Sequence, residues 1–449
     1  MDLLHTRVQR PVGQGGFHTS TIQLPTASFR YIYDCGTTSG KSHLKKQVEF
    51  YCRELENSTA TEKKGPVDAI FISHFDGDHV NGISELLTSV EVKTAVVPYL
   101  SLTERLLLLA KHHEPGLGLA AVYFLLDPIR RLGELGVGEV YSVRGKPSAD
   151  ADDIAPPAPP PPDAPPHAEV EKIALKPWPA PGTPRAFSFP IAGRKKSRGP
   201  APNTKVFEIG HEGAFPIISD KGPLNWVLAP FVYHNHIAIN IFKDFTDATF
   251  GRDVLEVELD RGCEPFWDYI TKANRLKQLK AIYSSVAKSV GRGGGRAAAI
   301  NGSSLCLYSG PIVEPKRAYV NMQPCGDCWY WAAHNVVGWL GTGDLPMAEP
   351  AVANSLRRHF SAYHHLVSTA TVPHHGSILD YGNTPGRVSV ISAGKNNPHG
   401  HPDPATIAAI LARNQRPVVV TESLTDAFVE AITMHLYTAE TSTLELAST

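Results

Sequence analysis

The sequence is poor in several things that would point to particular functions. Its 43 Lys and Arg offset 44 Asp and Glu, leaving a net charge of −1. No general basic field gathers nucleic acid, so such a substrate would need a local patch. One stretch offers that, Arg194-Lys-Lys-Ser-Arg198, although runs of this kind are more often solvated loops. No apolar run approaches the roughly 20 residues of a membrane span; the longest lies near Leu106–Ala110. Met1-Asp-Leu-Leu-His-Thr-Arg7 lacks the basic and then apolar stretch of a secretory leader. The expectation is a soluble, cytoplasmic protein with its six cysteines (35, 52, 263, 306, 325, 328) reduced. Glycine-rich Val12-Gly-Gln-Gly-Gly16 has no lysine at P-loop spacing, which excludes nucleotide binding by that motif.

Against these absences stands one dense stretch, Ala69-Ile-Phe-Ile-Ser-His-Phe-Asp-Gly-Asp-His-Val-Asn-Gly-Ile83. The run Ala69–Ile72 reads as a buried strand, and Ile83, Leu86 and Leu87 begin a helical pattern. Between them lie His74, Asp76, Asp78 and His79, a mixture of imidazole and carboxylate suited to a divalent first-row metal. In an extended segment His74, Asp76 and Asp78 share one side, and His79 arrives at the turn. A helix cap at Asp78 or Asn81 would use one such residue, not four.

Several other polar groups follow short apolar strands. Phe29–Tyr33 leads into Asp34-Cys-Gly36, and Asn301-Gly-Ser-Ser304 precedes Leu305–Tyr308. Val336–Gly341 leads to Thr342-Gly-Asp344, and Val367–Val372 to Pro373-His-His-Gly-Ser377. Val388–Ser392 leads to a loop ending His399-Gly-His-Pro402. Thr94–Pro98, Leu224–Pro230 and Pro417–Thr421 read as further strands. Residues 41–64, 100–113, 117–135, 246–290 and 403–413 read as helices. His112 and His113 read as surface histidines. The chain closes in a tail of moderate helical character. Ala155–Pro166 holds eight prolines in twelve residues, which favours polyproline II and keeps the run out of a core. The expected organisation is one domain over 1–449, with a Pro-rich insertion at 147–203 and a helical insertion at 235–295. Cys325-Gly-Asp-Cys328 has zinc-knuckle or redox spacing, but nothing selects two further ligands from Cys263, Cys306 and His334. Free thiols are the expectation.

His74-x-Asp76-x-Asp78-His79 resembles the His-x-His-x-Asp-His signature of the metallo-β-lactamase superfamily, with Asp76 replacing the second histidine. Preceded by Ser73 and followed by Val80-Asn-Gly82, it is most similar to the hydrolase domain of ComEC/Rec2-type bacterial competence proteins. The glycine turn at 12–16, Asp34-x-Gly36, Thr342-Gly-Asp344, the histidine pair and Gly400-His-Pro402 recur in that family's order. The resemblance implies an α/β fold, the four-layer αββα sandwich. It also implies two divalent metal ions, zinc or manganese, with magnesium admitted by the harder Asp76. His74 and Asp76, with His374, would hold the first ion; Asp78, His79 and His401 the second, with His399 as the alternative to His401. Asp344 would bridge them, and Asp34 would support the site from behind. A further histidine usual in the family has no match. Asp78 would also orient a metal-activated water, with His375 and Ser377 acting on the leaving oxygen.

The implied function is a metal-dependent phosphodiesterase or nuclease acting on nucleic acid or another phosphodiester. A hydrolase of a small ester, lactone or amide is the alternative, since a fold does not settle its substrate. A non-catalytic partner subunit with a degenerate site is the third reading. With no membrane channel, the chain is not itself a DNA import pore. The Pro-rich insertion would suit docking of a protein partner, for instance in defence against foreign DNA.

Overall fold

A computed structural model describes residues 2–57, 66–112, 119–145, 171–188, 203–234, 236–291, 303–323, 330–333, 335–379 and 381–435. The amino-terminal half runs β1 (Asp2–Gln9), β2 (His18–Gln23), β3 (Ser28–Tyr33), α1 (Lys41–Asn57) and β4 (Val67–Phe71). Short helices α2 (Gly77–Val80) and α3 (Ile83–Ser89) lead to β5 (Val92–Pro98). Then come α4 (Leu102–His112), α5 (Leu119–Leu126), α6 (Pro128–Glu134) and β6 (Glu139–Val143). Five strands follow: β7 (Ile173–Leu175), β8 (Arg185–Ser188), β9 (Asn203–Ile209), β10 (Phe215–Ser219) and β11 (Gly222–Val232). Four helices intervene: α7 (His236–Phe250), α8 (Val254–Asp260), α9 (Cys263–Thr271) and α10 (Arg275–Gly291). The remainder is β12 (Leu305–Gly310), β13 (Ala318–Gln323), β14 (Tyr330–Ala333), β15 (Gly338–Gly341), α11 (Pro350–His359), β16 (Val367–Thr371), β17 (Val388–Ser392), α12 (Pro404–Leu411), β18 (Arg416–Val420) and β19 (Phe428–His435).

These strands make two mixed sheets, so the chain is a mixed α/β protein. One sheet has the order β14-β13-β19-β1-β2-β3-β4-β5-β6-β9-β8, the other β18-β17-β16-β15-β12-β11-β10-β7. Strands β3, β4, β5, β6 and β9 are parallel, as are β15 to β18. All five residues of β4 are buried, as a parallel strand covered on both faces requires. Side chains of both sheets share one apolar cluster, including Tyr31, Phe71 and Met434 from the first and Trp226, Leu307 and Trp339 from the second. Helices α1, α3, α4 and α7 to α10 bury a second cluster with the other face of the larger sheet. α11 packs Val352, Leu356 and Phe360 against Phe231, Tyr308 and Leu340 of the smaller sheet. In α1 the buried Leu44, Val48, Tyr51, Cys52 and Leu55 recur at helical spacing. No helix among the described residues is long and apolar enough to cross a membrane.

The structure departs from the sequence expectations in four places. The tail read as helical is β19 up to His435, paired with β1 and β13 inside the larger sheet. Its inward residues Phe428, Ile432 and Met434 alternate, but buried Glu430 interrupts the apolar pattern. The 147–203 insertion supplies two edge strands, β7 on β10 and β8 on β9; its proline run and Arg194–Arg198 lie outside the described residues. The 117–135 helix is two helices, broken where Asp127 caps α6 ahead of Pro128. Residues 318–333, given no element from sequence, form β13 and β14. Cys35, Cys52, Cys263 and Cys306 are buried and form no disulfide. His113, His334 and Cys325-x-x-Cys328 lie outside the described residues.

Candidate metal centre

The site sits where parallel strands of both sheets end, the usual place for sites in such sheets. Asp34 follows β3, Ser73–His79 follows β4, Asp344 follows β15, and the histidine pair follows β16. The loop Asp76–His79 lies against two glycine-bearing turns. The amide of Gly16 donates to the Asp78 carbonyl at 3.0 Å and that of Cys35 to the His79 carbonyl at 2.9 Å. A Cβ on Gly36 would come within 2.5 Å of Asp78 backbone, so only glycine lets the turn approach. At the turn before Asp344, Gly343 takes φ +53, a left-handed value that favours glycine.

Donor atoms converge here in three overlapping groups: His74, Asp78 and His79; His79, Asp344 and His375; His74, Asp76 and Asp344. Within each group they lie within 4.8 Å of one another. Asp344 joins the last two groups. Its Oδ2 is 3.4 Å from His74 Nε2 and its Oδ1 is 3.4 Å from His79 Nε2. His74 Nε2, His79 Nε2 and Asp344 Oδ1 are buried without a hydrogen bond. Orphaned polar atoms of this kind are rare in folded proteins.

Each histidine is fixed from behind. Asp34 Oδ2 faces His79 Nδ1 at 2.8 Å, and the Ser392 carbonyl faces His375 Nδ1 at 2.8 Å. Ser73 Oγ donates to Asp34 Oδ2 at 2.6 Å and meets His74 Nδ1 at 2.8 Å. Ser304 Oγ reaches His74 Nδ1 at 3.2 Å and accepts the Asp344 amide at 3.0 Å. Assigned from this network, the Nδ1 atoms carry the protons and each Nε2 turns its lone pair inward.

Electrostatics favours positive charge at the same point. Burial and His79 press the His74 ring down, but Asp344 and Asp76 carry it up to about 9. Burial also opposes protonation of His79, yet Asp34, Asp78 and Asp344 hold it well above its ordinary value. Burial would push Asp78 up; His79 and His375 pull it down to about 2. Asp344 is held well below the carboxylate range by His374, His74 and His79 against burial. A cluster that draws protons onto its histidines is one a cation would neutralise. The donor set therefore fits divalent metal.

The two adjacent histidines differ. His374, His375 and Gly376 all take positive φ (48°, 56° and 85°), and this turn sends the two rings apart. His375 is buried, with Nε2 3.0 Å from Asp78 Oδ2. The His374 side chain is one-third exposed, with Nε2 3.9 Å from Asp344 Oδ2. His375, expected from sequence to act on the leaving group, thus joins the converging donors, and His374 stands beside them. His401 is not among the converging donors; its ring lies 5.8 Å from that of His374, and the ring of exposed His399 lies 5.7 Å from that of His401. Ser377 is buried, and its hydroxyl accepts the Leu379 amide at 3.3 Å.

Sequence reading missed two neighbours. Ser304 meets His74 from the turn before β12. Lys111 of α4 places Nζ 3.1 Å from Asp76 Oδ2; burial lowers its affinity for a proton, but Asp76 and Asp344 raise it overall. Neither carries a spacing signal, because both approach from elements remote in sequence. A fourth donor group, Asp247, Asp253 and Glu256, is already occupied by Lys243, whose Nζ lies 3.4, 2.5 and 3.1 Å from the three carboxylates. Compared with models of known protein families and with curated proteins, the chain matches none.

Proposed function

We propose that the protein is a metal-dependent hydrolase with the four-layer αββα architecture of the metallo-β-lactamase type, and that it cleaves phosphodiesters, nucleic acid foremost. The observation that carries this reading is Asp344: its two carboxylate oxygens each face a different buried histidine nitrogen at 3.4 Å. One carboxylate shared between two donor groups would suit a pair of cations. His74, Asp76 and Asp344 would hold one ion; His79, Asp344, His375 and Asp78 the other. Bound there, two divalent ions, manganese or zinc, acidify water and neutralise charge developing on a phosphate.

The chain's own groups do the rest. Asp78, kept ionised, would accept the proton of the attacking water through its carboxylate, whose Oδ2 lies 3.0 Å from His375 Nε2. Asp34 and Ser392 hold the His79 and His375 rings in register. His374, one-third exposed, would donate a proton to the leaving oxygen.

Metal analysis of the purified chain, with manganese-dependent turnover of bis-p-nitrophenyl phosphate and of single- and double-stranded DNA, tests this. Two equivalents of metal and diester turnover are expected, both lost in Asp344→Ala. Turnover of lactones alone would move the substrate class to small esters. Protein that takes up no metal and turns over nothing would overturn the reading.

A further inference from the structure

Asp76 Oδ2 faces two partners. His74 Nε2 is 3.6 Å away and Lys111 Nζ is 3.1 Å away. Lys111 sits at the end of α4, one residue before His112, and its side chain is only 18% exposed. Pro98, Leu100 and Leu108 line the same narrow cleft with His74 and Asp76. An ammonium confined by apolar walls beside a carboxylate is a fixed point charge rather than a mobile surface lysine.

We infer that Lys111 is a built-in cation of the centre, which makes the half-site of His74, Asp76 and Asp344 the weaker and more exchangeable of the two. The inference rests on the metal reading above and adds what regulates it. A divalent ion at that half-site must share the Asp76 carboxylate with the ammonium and sit within a few ångströms of its positive charge, which opposes binding. The charge balance gives the ammonium a purpose. Asp76, Asp78 and Asp344 bring three negative charges and Lys111 one positive, so two divalent ions leave the centre at +2 rather than +1. The surplus attracts an anionic phosphodiester and would be wasted on a neutral ester. Asp76 paired with Lys111 also carries the net charge of a neutral imidazole while remaining a harder, oxygen donor.

Calorimetric titration of manganese into metal-stripped full-length protein tests this in the wild type, Lys111→Met, Lys111→Gln and Lys111→Arg. The wild type is expected to bind two ions of unequal affinity. Removing the charge tightens the weaker site by about 10-fold or more, since the repulsion between ammonium and ion is lost; Lys111→Arg restores wild-type behaviour. A second ion that appears only in the neutral variants is the limiting form of the same result. Inorganic phosphate should bind the manganese-loaded neutral variants several-fold more weakly. Unchanged or looser metal binding in both neutral variants, with thermal melts showing them folded, overturns the role of Lys111 alone. A wild type that binds no ion overturns the metal reading itself.

Discussion

Asp34 does the most for the centre without facing it. It takes φ +60, a region aspartate tolerates better than most residues. Its Oδ1 accepts the Ser73 amide at 2.7 Å, while Oδ2 takes the Ser73 hydroxyl and His79 Nδ1. With His374 and His375, it is one of three non-glycine residues at this edge held at positive φ. Such conformations cost about 1–3 kcal/mol each and gather at functional sites. Asp34→Asn keeps the shape but removes the charge that holds the His79 tautomer. Metal affinity should fall by about 10- to 100-fold with little change in melting temperature. Calorimetric titration beside a melt measures both, and undiminished affinity would remove Asp34 from the account.

At the scale of elements, α4 ties the centre to the helical insertion. Ser101-Leu-Thr-Glu104 forms a capping box: Glu104 Oε2 accepts the Ser101 amide at 2.8 Å, and the Glu104 amide reaches Ser101 Oγ at 3.3 Å. The other oxygen, Oε1, meets His234 Nδ1 at 2.7 Å, just ahead of α7, and Ser303 Oγ at 3.3 Å, beside Ser304. One carboxylate therefore sets the start of α4, the exit from β11 and the turn that touches His74. Burial would raise Glu104, but His234 and Ser101 hold it below its ordinary 4.5. Its stabilisation is complete above that value and is lost as pH falls through the lowered folded one. Glu104→Gln should cost about 1.5–3 kcal/mol at neutral pH, the range for hydrogen bonds to charged groups. The two proteins should converge in stability as pH drops below the glutamate range. Urea denaturation at pH 7 and in acid checks it; a gap that persists in acid would assign the loss to shape instead of charge.

Across the whole molecule, the sheets are joined by a buried ion pair as well as by apolar packing. Arg7 of β1 and Glu430 of β19 are essentially unexposed and meet at 2.6 Å. Arg7 crosses to the other sheet, donating to the Val337 carbonyl at 3.0 Å and Ser368 Oγ at 3.2 Å, and Thr369 Oγ1 donates to Glu430 at 3.1 Å. Breaking such a pair strands a buried charge, so Arg7→Met should cost about 3–5 kcal/mol. The double variant Arg7→Met with Glu430→Met should cost less than the single, because neither charge remains unpaired. Chemical denaturation of both decides it; an additive loss would show that the pair acts through packing alone.

The sequence by itself determined the heart of the centre, because His74, Asp76, Asp78 and His79 fall within six residues and a strand end carries them without help from afar. It also determined most of the buried strands that flank the polar turns and the amphipathic helices, since burial on one or both faces writes a local period. Only the tertiary structure decided the rest. His374 and His375 are chemically equal neighbours; a left-handed turn held by contacts with Gly343 and Ser392 separates them. Lys111 and Ser304 gain meaning only when α4 and the turn before β12 close on the loop after β4. β19 hid because Glu430, polar at an inward position, is explained by partners remote in sequence, Arg7, 423 residues away, and Thr369. Local pattern records which face is buried; it does not record which distant charge or lone pair will be waiting there.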